Sequence, residues 1–290
     1  MDLPTQFIDF QKNERLASPY TLRNYSHSLR EFERYYTEAY SQKLNWSAVT
    51  PMQARDTVIE LQRALDRRTV HNRIAALRSF YRWGVRLGYL KQNPFKNITL
   101  PKAARKLPVF LTEAQMQKLL AAPAQRHANG HAENLSTRDE LILELLYGAG
   151  LRVSELCDLR WENVSYEQGL IKVLGKGRKE RLCPCGAVAM HKLQSWQKLT
   201  GESEGLVFPR LSPRTVQLML KENLRTADLP MALTPHKLRH TFATHMVGRG
   251  ANLRAVQELM GHKSLTTTQI YAHLTLGKVK EAYAKAHPRA

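Results

Sequence analysis

The stretch from Lys91 to Pro108 (K-Q-N-P-F-K-N-I-T-L-P-K-A-A-R-K-L-P) limits what this chain can become more than any other. Its apolar residues follow neither the 3.6-residue period of a helix nor the alternation of a strand. Pro94, Pro101 and Pro108 interrupt any regular element, and Lys91, Lys96, Lys102, Arg105 and Lys106 face no acidic residue. Such a segment reads as an extended basic linker between two bodies. The expectation is a helical domain over 1–90, a linker over 91–110 and a second domain over 111–290. At 290 residues each body is large enough for its own core.

The first body reads as helices throughout. Ser18-Pro19 is a cap and first-turn pair, followed by Leu22, Tyr25, Leu29, Phe32 and Tyr36 at helical spacing. A second helix opens at Thr50-Pro51 with Val58, Leu61 and Leu65 on one face. A third, from Thr69 to Leu87, turns Ile74, Leu77, Tyr81 and Val85 inwards and carries Arg73, Arg78, Arg82 and Arg86 in a row. On many helices such a row is only a solvated face. Here the overall charge decides the reading.

The chain holds 44 Lys and Arg against 25 Asp and Glu, a formal +19. Residues 1–105 carry 18 basic and 9 acidic residues, and residues 106–290 carry 26 and 16, so both bodies are basic. That balance predicts a polyanionic partner for the whole chain. Double-stranded DNA is the expected one, with Arg73, Arg78, Arg82, Arg86, Lys102 and Arg105 as candidate contacts to its backbone. Three cysteines (Cys157, Cys183 and Cys185) are too few for a disulfide framework and lack the partners of a zinc site. No signal-like start and no apolar run of membrane length occur, so the expected location is cytoplasmic, without a membrane partner.

The second body opens with a helix near Thr112–Leu120, then a polar loop over 124–136. Ser136-Thr-Arg-Asp139 reads as a capping pattern ahead of the apolar run Leu141–Tyr147. Gly148-Ala-Gly150 breaks the chain, and Arg152 stands where the next helix starts. Gly169–Leu174 and Glu180–Cys183 read as strands of a hairpin with Lys176 at its tip. The tip is no Walker A loop, because G-x-x-x-x-G-K-[S/T] is not matched. After Tyr271, positions 276, 279 and 283 mark a short amphipathic helix that packs on its own domain or on another protomer; the pattern leaves both open.

The chemistry concentrates between Thr234 and Tyr271. Thr234-Pro235 starts a helix that puts His236 and Arg239 on one face. His262 and Tyr271 are nine residues apart, so one unbroken helix would point them in opposite directions. Gly261 and the cap candidate Ser264 suggest a break that brings them together. Arginines, histidines and a tyrosine in a basic chain suit attack on a phosphodiester. Arg152 and Arg239 can hold the non-bridging oxygens in bidentate fashion. His236 and His262 can donate hydrogen bonds there or move protons. Lys176 can protonate the departing sugar oxygen, and Tyr271 is the candidate nucleophile, with Tyr283 the alternative. A tyrosyl phosphate ester conserves the bond energy, so rejoining needs no ATP. His236, His240 and His245 lack H-E-x-x-H and a carboxylate partner, so neither metal nor cofactor is expected.

In order and spacing, L-R-V-S-E-L, G-K-G-R-K-E-R, P-H-K-L-R-H-T-F-A-T-H and L-M-G-H-K-S-L-T-T-T-Q-I-Y resemble the tyrosine recombinases. The opening S-P-Y-T-L-R-N-Y extends the resemblance over nearly the whole chain, and the details are most similar to the Xer type. The resemblance implies a mainly α fold with a small β-hairpin or sheet in the catalytic domain, closed with a helical SAM-like core-binding domain into a C-shaped DNA clamp. It matches Arg152 and Arg239 to the catalytic arginines, Lys176 to a general-acid lysine, His236 and His262 to the two histidine positions, and Tyr271 to the nucleophile. Glu155 falls where an acidic residue braces the site. It also implies a 3′-phosphotyrosyl intermediate, a Holliday junction in a tetramer, and a helix at about 276–286 docked on the neighbouring protomer. An XerD-like partner recombinase, a dif-like site used in resolving chromosome dimers, and activation by an FtsK-like septal DNA translocase complete the implied setting. Cys183-Pro-Cys185 sits where the family usually has apolar residues and a proline, and the loop at 124–136 is long for the family. A type IB topoisomerase shares the attack, and a catalytically silent DNA-binding protein would share the charge; both readings stay open.

Overall fold

The computed structural model describes residues 2–100, 110–126, 133–175, 180–261 and 272–290. Lys102, Arg105, Lys176, His262, Ser264 and Tyr271 lie outside the described residues. The chain divides into two compact units, Met1–Lys106 and Leu107–Ala290.

The first unit is made of α1 (Leu3–Asn13), α2 (Pro19–Tyr40), α3 (Pro51–Ala64) and α4 (Arg67–Arg86). Side chains that satisfy the free amides of a first turn set each start: Asp2, Ser18 and Asp66 cap α1, α2 and α4, and Thr50 forms a reciprocal capping box with Gln53 on α3. The apolar faces meet in an aromatic core of Phe7, Phe32, Phe80, Tyr81, Trp83 and Phe95. Val85, read as inward, is instead exposed near the end of α4. Phe95 shows that the first part of the basic segment is folded on this unit. Its carbonyl accepts from Arg78 Nε at 2.9 Å, Ile98 O accepts from the same guanidinium, and Asn93 Nδ2 donates to Arg78 O at 3.2 Å.

The second unit holds α5 (Glu113–Arg126), α6 (Glu133–Tyr147), α7 (Val153–Cys157), β1 (Val164–Ser165), β2 (Leu170–Leu174), β3 (Glu180–Pro184), α8 (Ala187–Thr200), α9 (Pro213–Thr226), α10 (Pro235–Gly248), α11 (Leu253–Leu259) and α12 (Ala272–Ala286). The strands form an antiparallel sheet in the order β1-β2-β3, with Leu170 opposite Pro184 and Leu174 opposite Glu180. α6 is the axis of the unit: Leu141, Ile142, Leu143, Leu145 and Leu146 are all fully buried, as befits a helix apolar on every side.

The capping pattern at Ser136–Asp139 is corrected by the structure, because α6 already begins at Glu133. Asp139 is buried inside the helix and held by Arg126 at 3.2 Å and Arg138 at 2.7 Å. A buried carboxylate with two cations looks like a cap signal in sequence because both uses favour the same residue type. The three cysteines are free and buried. Among the described residues no helix is long and apolar enough to cross a membrane.

Beyond the middle of α12 the chain packs on its own unit. The buried Tyr283 hydroxyl donates to Gly148 O at 2.9 Å and accepts from Gly186 N at 3.0 Å. Arg289 grips the buried Glu144 carboxylate with Nε at 3.0 Å and Nη2 at 2.8 Å.

Candidate active site

Gly150, with φ at +59°, turns the chain out of α6 and places Arg152 at the N-cap of α7. Arg152 has no side chain acceptor to cap the helix. Glu155, one turn on, accepts from Arg152 N at 2.7 Å and from Arg152 Nη1 at 2.7 Å. The same carboxylate receives Arg181 of β3, Nη1 at 2.5 Å and Nη2 at 2.9 Å, and lies 3.7 Å from Arg239 Nη1. Three arginines from three elements thus meet on one carboxylate.

Arg239 reaches this place because Thr234 and Pro235 start α10 as the sequence suggests, Thr234 Oγ1 accepting from Lys237 N at 3.3 Å. Its guanidinium is almost wholly buried and donates to Gly150 O and Met260 O. Arg152 Nη2 donates to Met260 O at 3.0 Å and Gly261 O at 3.2 Å, and Arg181 Nε to Leu259 O at 3.2 Å. These carbonyls lie at the end of α11 and just beyond it, where they have no partner within the helix. The arginines satisfy them and complement the negative end of the helix dipole.

Gly261 closes α11 at φ +56°, and a Cβ there would lie 2.9 Å from Arg181 Cδ. α11 thus ends before Gly261, which sits against two of the arginines directly before His262; the break expected between His262 and Tyr271 lies outside the described residues.

Electrostatics follow from this crowding. Burial alone would raise the Glu155 pKa, but the hydrogen bonds and charges of Arg181 and Arg152 outweigh it and hold the carboxyl below its usual value. Arg239 is pushed down to about 10 by burial first and by Arg181 and Arg152 next, so it remains a cation at neutral pH. A rigid, positively charged floor results, with Arg152 its most accessible arginine at 33% side-chain exposure.

Of the expected site residues, the structure gathers Arg152, Glu155 and Arg239. His236 is exposed on α10, one turn before Arg239. Lys176, His262 and Tyr271 lie outside the described residues; Lys176 belongs to the connection of β2 to β3, and His262 follows Gly261. Tyr283 is unsuited to attack, because its hydroxyl is buried between two backbone partners and burial raises its pKa far above 10. Arg181 was not read from the sequence as a site residue. A signal existed: strand alternation puts it on the same face as the fully buried Cys183, where an arginine requires a buried acid.

The candidate contacts on α4 separate. Arg82 is exposed, and Arg86 lies over the Phe10 ring with its carbon 5.1 Å from the ring centre. Arg73 donates to His27 O at 3.2 Å, while Arg78 spends its donors on Phe95 and Ile98.

A helical unit followed by a mainly helical unit with a three-stranded sheet and an arginine-lined site defines a class of DNA strand transferases. Residues 109–277 match the phage integrase family and residues 5–88 match the phage integrase N-terminal SAM-like domain. The chain belongs to the phage integrase family, the tyrosine recombinases. It is 39% identical to "Tyrosine recombinase XerC" of Oceanobacillus iheyensis, covering 98% of this chain and 95% of that protein. To the protein of the same name in Haemophilus influenzae (strain Rd) it is 38% identical, over 98% of this chain and 97% of the relative.

Among solved structures, the fold is shared with XerH site-specific recombinase bound to palindromic difH substrate in a post-cleavage complex. There the TM-score is 0.72 at 23% identity, over 97% of this chain and 84% of that one. It is also shared with the Tn1549 transposon integrase in complex with transposon right end DNA, at a TM-score of 0.71 and 20% identity, over 96% and 94%.

Proposed function

We propose that this enzyme is a site-specific recombinase that cuts and rejoins duplex DNA through Tyr271. The observation that carries the reading is the convergence of Arg152 and Arg239 on the carbonyl of Met260, two residues before His262. Two guanidiniums from distant parts of the chain, braced by Glu155, make a preorganised cradle for the non-bridging oxygens of a phosphate. Such donors cost no reorganisation when negative charge grows in the transition state.

In the proposed reaction the Tyr271 oxygen attacks the phosphorus and the 5′ sugar oxygen leaves, taking a proton from Lys176. The protein is left joined to the 3′ phosphate. His236 and His262 hydrogen-bond to the same oxygens or carry the tyrosine proton. Attack of a second strand's 5′ hydroxyl reverses the chemistry and frees Tyr271, and two such exchanges pass through a Holliday junction. No ATP is consumed, because the tyrosyl ester stores the energy of the broken bond.

The names of the relatives support a finer setting. We assign a dif-like site as target, resolution of chromosome dimers in the cytoplasm as the task, and an XerD-like recombinase as partner in a heterotetramer under an FtsK-like translocase. The catalytic test uses a duplex nicked near the cleavage point, so that the cut strand is lost and the adduct accumulates. Wild type, with the partner recombinase present, is expected to give an SDS-resistant protein–DNA adduct and Tyr271→Phe none, with DNA binding equal in both. An equal adduct in both proteins would refute Tyr271 as nucleophile.

A further inference from the structure

Among the described residues, Glu155 is a buried anion serving three cations, and the three do not use it in the same way. Arg152 takes one carboxylate oxygen with its guanidinium and the other with its backbone amide. Arg239 stands at 3.7 Å, an electrostatic neighbour rather than a hydrogen-bond donor. Only Arg181 covers both oxygens with its guanidinium, in the side-by-side geometry that makes Arg–carboxylate pairs strong. Its side chain is only 12% exposed, against 33% for Arg152. The third donor of Arg181 goes to Leu259 O at the end of α11, and its Cδ is packed against Gly261.

Charge counting gives this geometry a purpose. Without Arg181, the Glu155 charge would offset one of the two arginines assigned to the phosphate. With it, Arg181 and Glu155 cancel, and Arg152 and Arg239 face the substrate with both positive charges in force. Arg181 also ties β3, the strand that follows Lys176 in the chain, to the carbonyls that precede His262.

We propose that Arg181 is a positioning residue for strand cleavage: it neutralises Glu155, so that Arg152 and Arg239 keep their full charge for the scissile phosphate, and it pins β3 to the end of α11. The inference rests on the proposed function, and its experiment distinguishes the two. Single-turnover cleavage of the nicked duplex and DNA affinity are measured, with the partner recombinase present, for wild type, Arg181→Lys, Arg181→Met, Glu155→Gln and the double variant. Thermal melting reports folding.

Arg181→Met is expected to slow cleavage on the order of 10–100-fold, the cost of small misplacements at a reacting centre. DNA affinity should change by about threefold or less, since many other phosphate contacts remain. Arg181→Lys should lie between Arg181→Met and wild type. The decisive variant is Glu155→Gln with Arg181→Met, which removes the pair together and keeps the wild-type net charge facing the phosphate. It should cleave several-fold faster than Arg181→Met, a rescue that a merely packing role would not produce. If Arg181→Met does not fold, Arg181→Lys is compared with wild type, and it should cleave more slowly at unchanged DNA affinity. Undiminished cleavage in Arg181→Met, or in Arg181→Lys where that variant stands in for it, or a double variant no faster than Arg181→Met, would overturn the inference. Absence of adduct in wild type would overturn the proposed function itself, and this inference with it.

Discussion

His287 should make the C-terminal anchor sensitive to acid. Its ring is buried, stacked on Tyr283 at 5.0 Å between ring centres, and near Tyr147 and Phe242. Burial lowers its pKa to about 3 from 6.5, with His245, Arg249 and Arg289 adding to the shift and a hydrogen bond with the Tyr147 backbone offsetting part of it. Because the folded pKa lies below the unfolded one, the neutral ring's contribution is complete above pH 6.5 and is lost as pH falls towards 3. Between pH 7.5 and 5.0 the linkage relation gives a loss of about 2 kcal/mol.

The assay is native-state hydrogen exchange of the His287 amide, which donates to Tyr283 O at 2.8 Å, corrected for intrinsic rates. Its protection should fall by roughly 30-fold over that range. In His287→Phe, which keeps the stack but cannot be protonated, protection should change little. Parallel pH profiles in the two proteins would refute the reasoning.

Gly261→Ala should destabilise the second unit by about 1–3 kcal/mol in denaturant unfolding, because it adds left-handed strain and displaces Arg181. It should also slow cleavage, since the displaced side chain is the one that covers Glu155. Arg78→Ala should cost the first unit about 2–3 kcal/mol, the loss of hydrogen bonds from a charged donor to part-buried carbonyls. Arg82→Ala should leave stability unchanged and reduce the salt dependence of DNA binding by about one unit of slope, which titrations at several ionic strengths would measure.

Much of the first unit was legible because local signals and burial agree there. Ser18, Thr50 and the apolar faces of α2 and α4 all sit where cap rules and periodicity put them. Val85 departs because it falls in the last turn of α4, where the helix has outrun the core. In the second unit the hairpin, the Gly150 turn and the α10 start were legible for the same reason. Asp139 was not, since a helix start and a buried ion pair draw on the same residues. Arg181 reads only as strand material, because nothing local to Glu180–Cys183 indicates that a carboxylate from α7 lies opposite it.

The sequence by itself determined the two basic bodies, the order of helices around one hairpin, and the motifs that identify the chemistry. These depend on short-range rules: periodicity, proline and glycine backbone limits, caps and spacing. Only the tertiary structure decided which arginines share Glu155, that Arg78 is spent on a backbone while Arg82 is exposed, and that Tyr283 is an anchor rather than a nucleophile. Those outcomes depend on which carbonyls and carboxylates distant segments bring to a side chain. A guanidinium of five donors takes its role from what lies within about 3 Å of it.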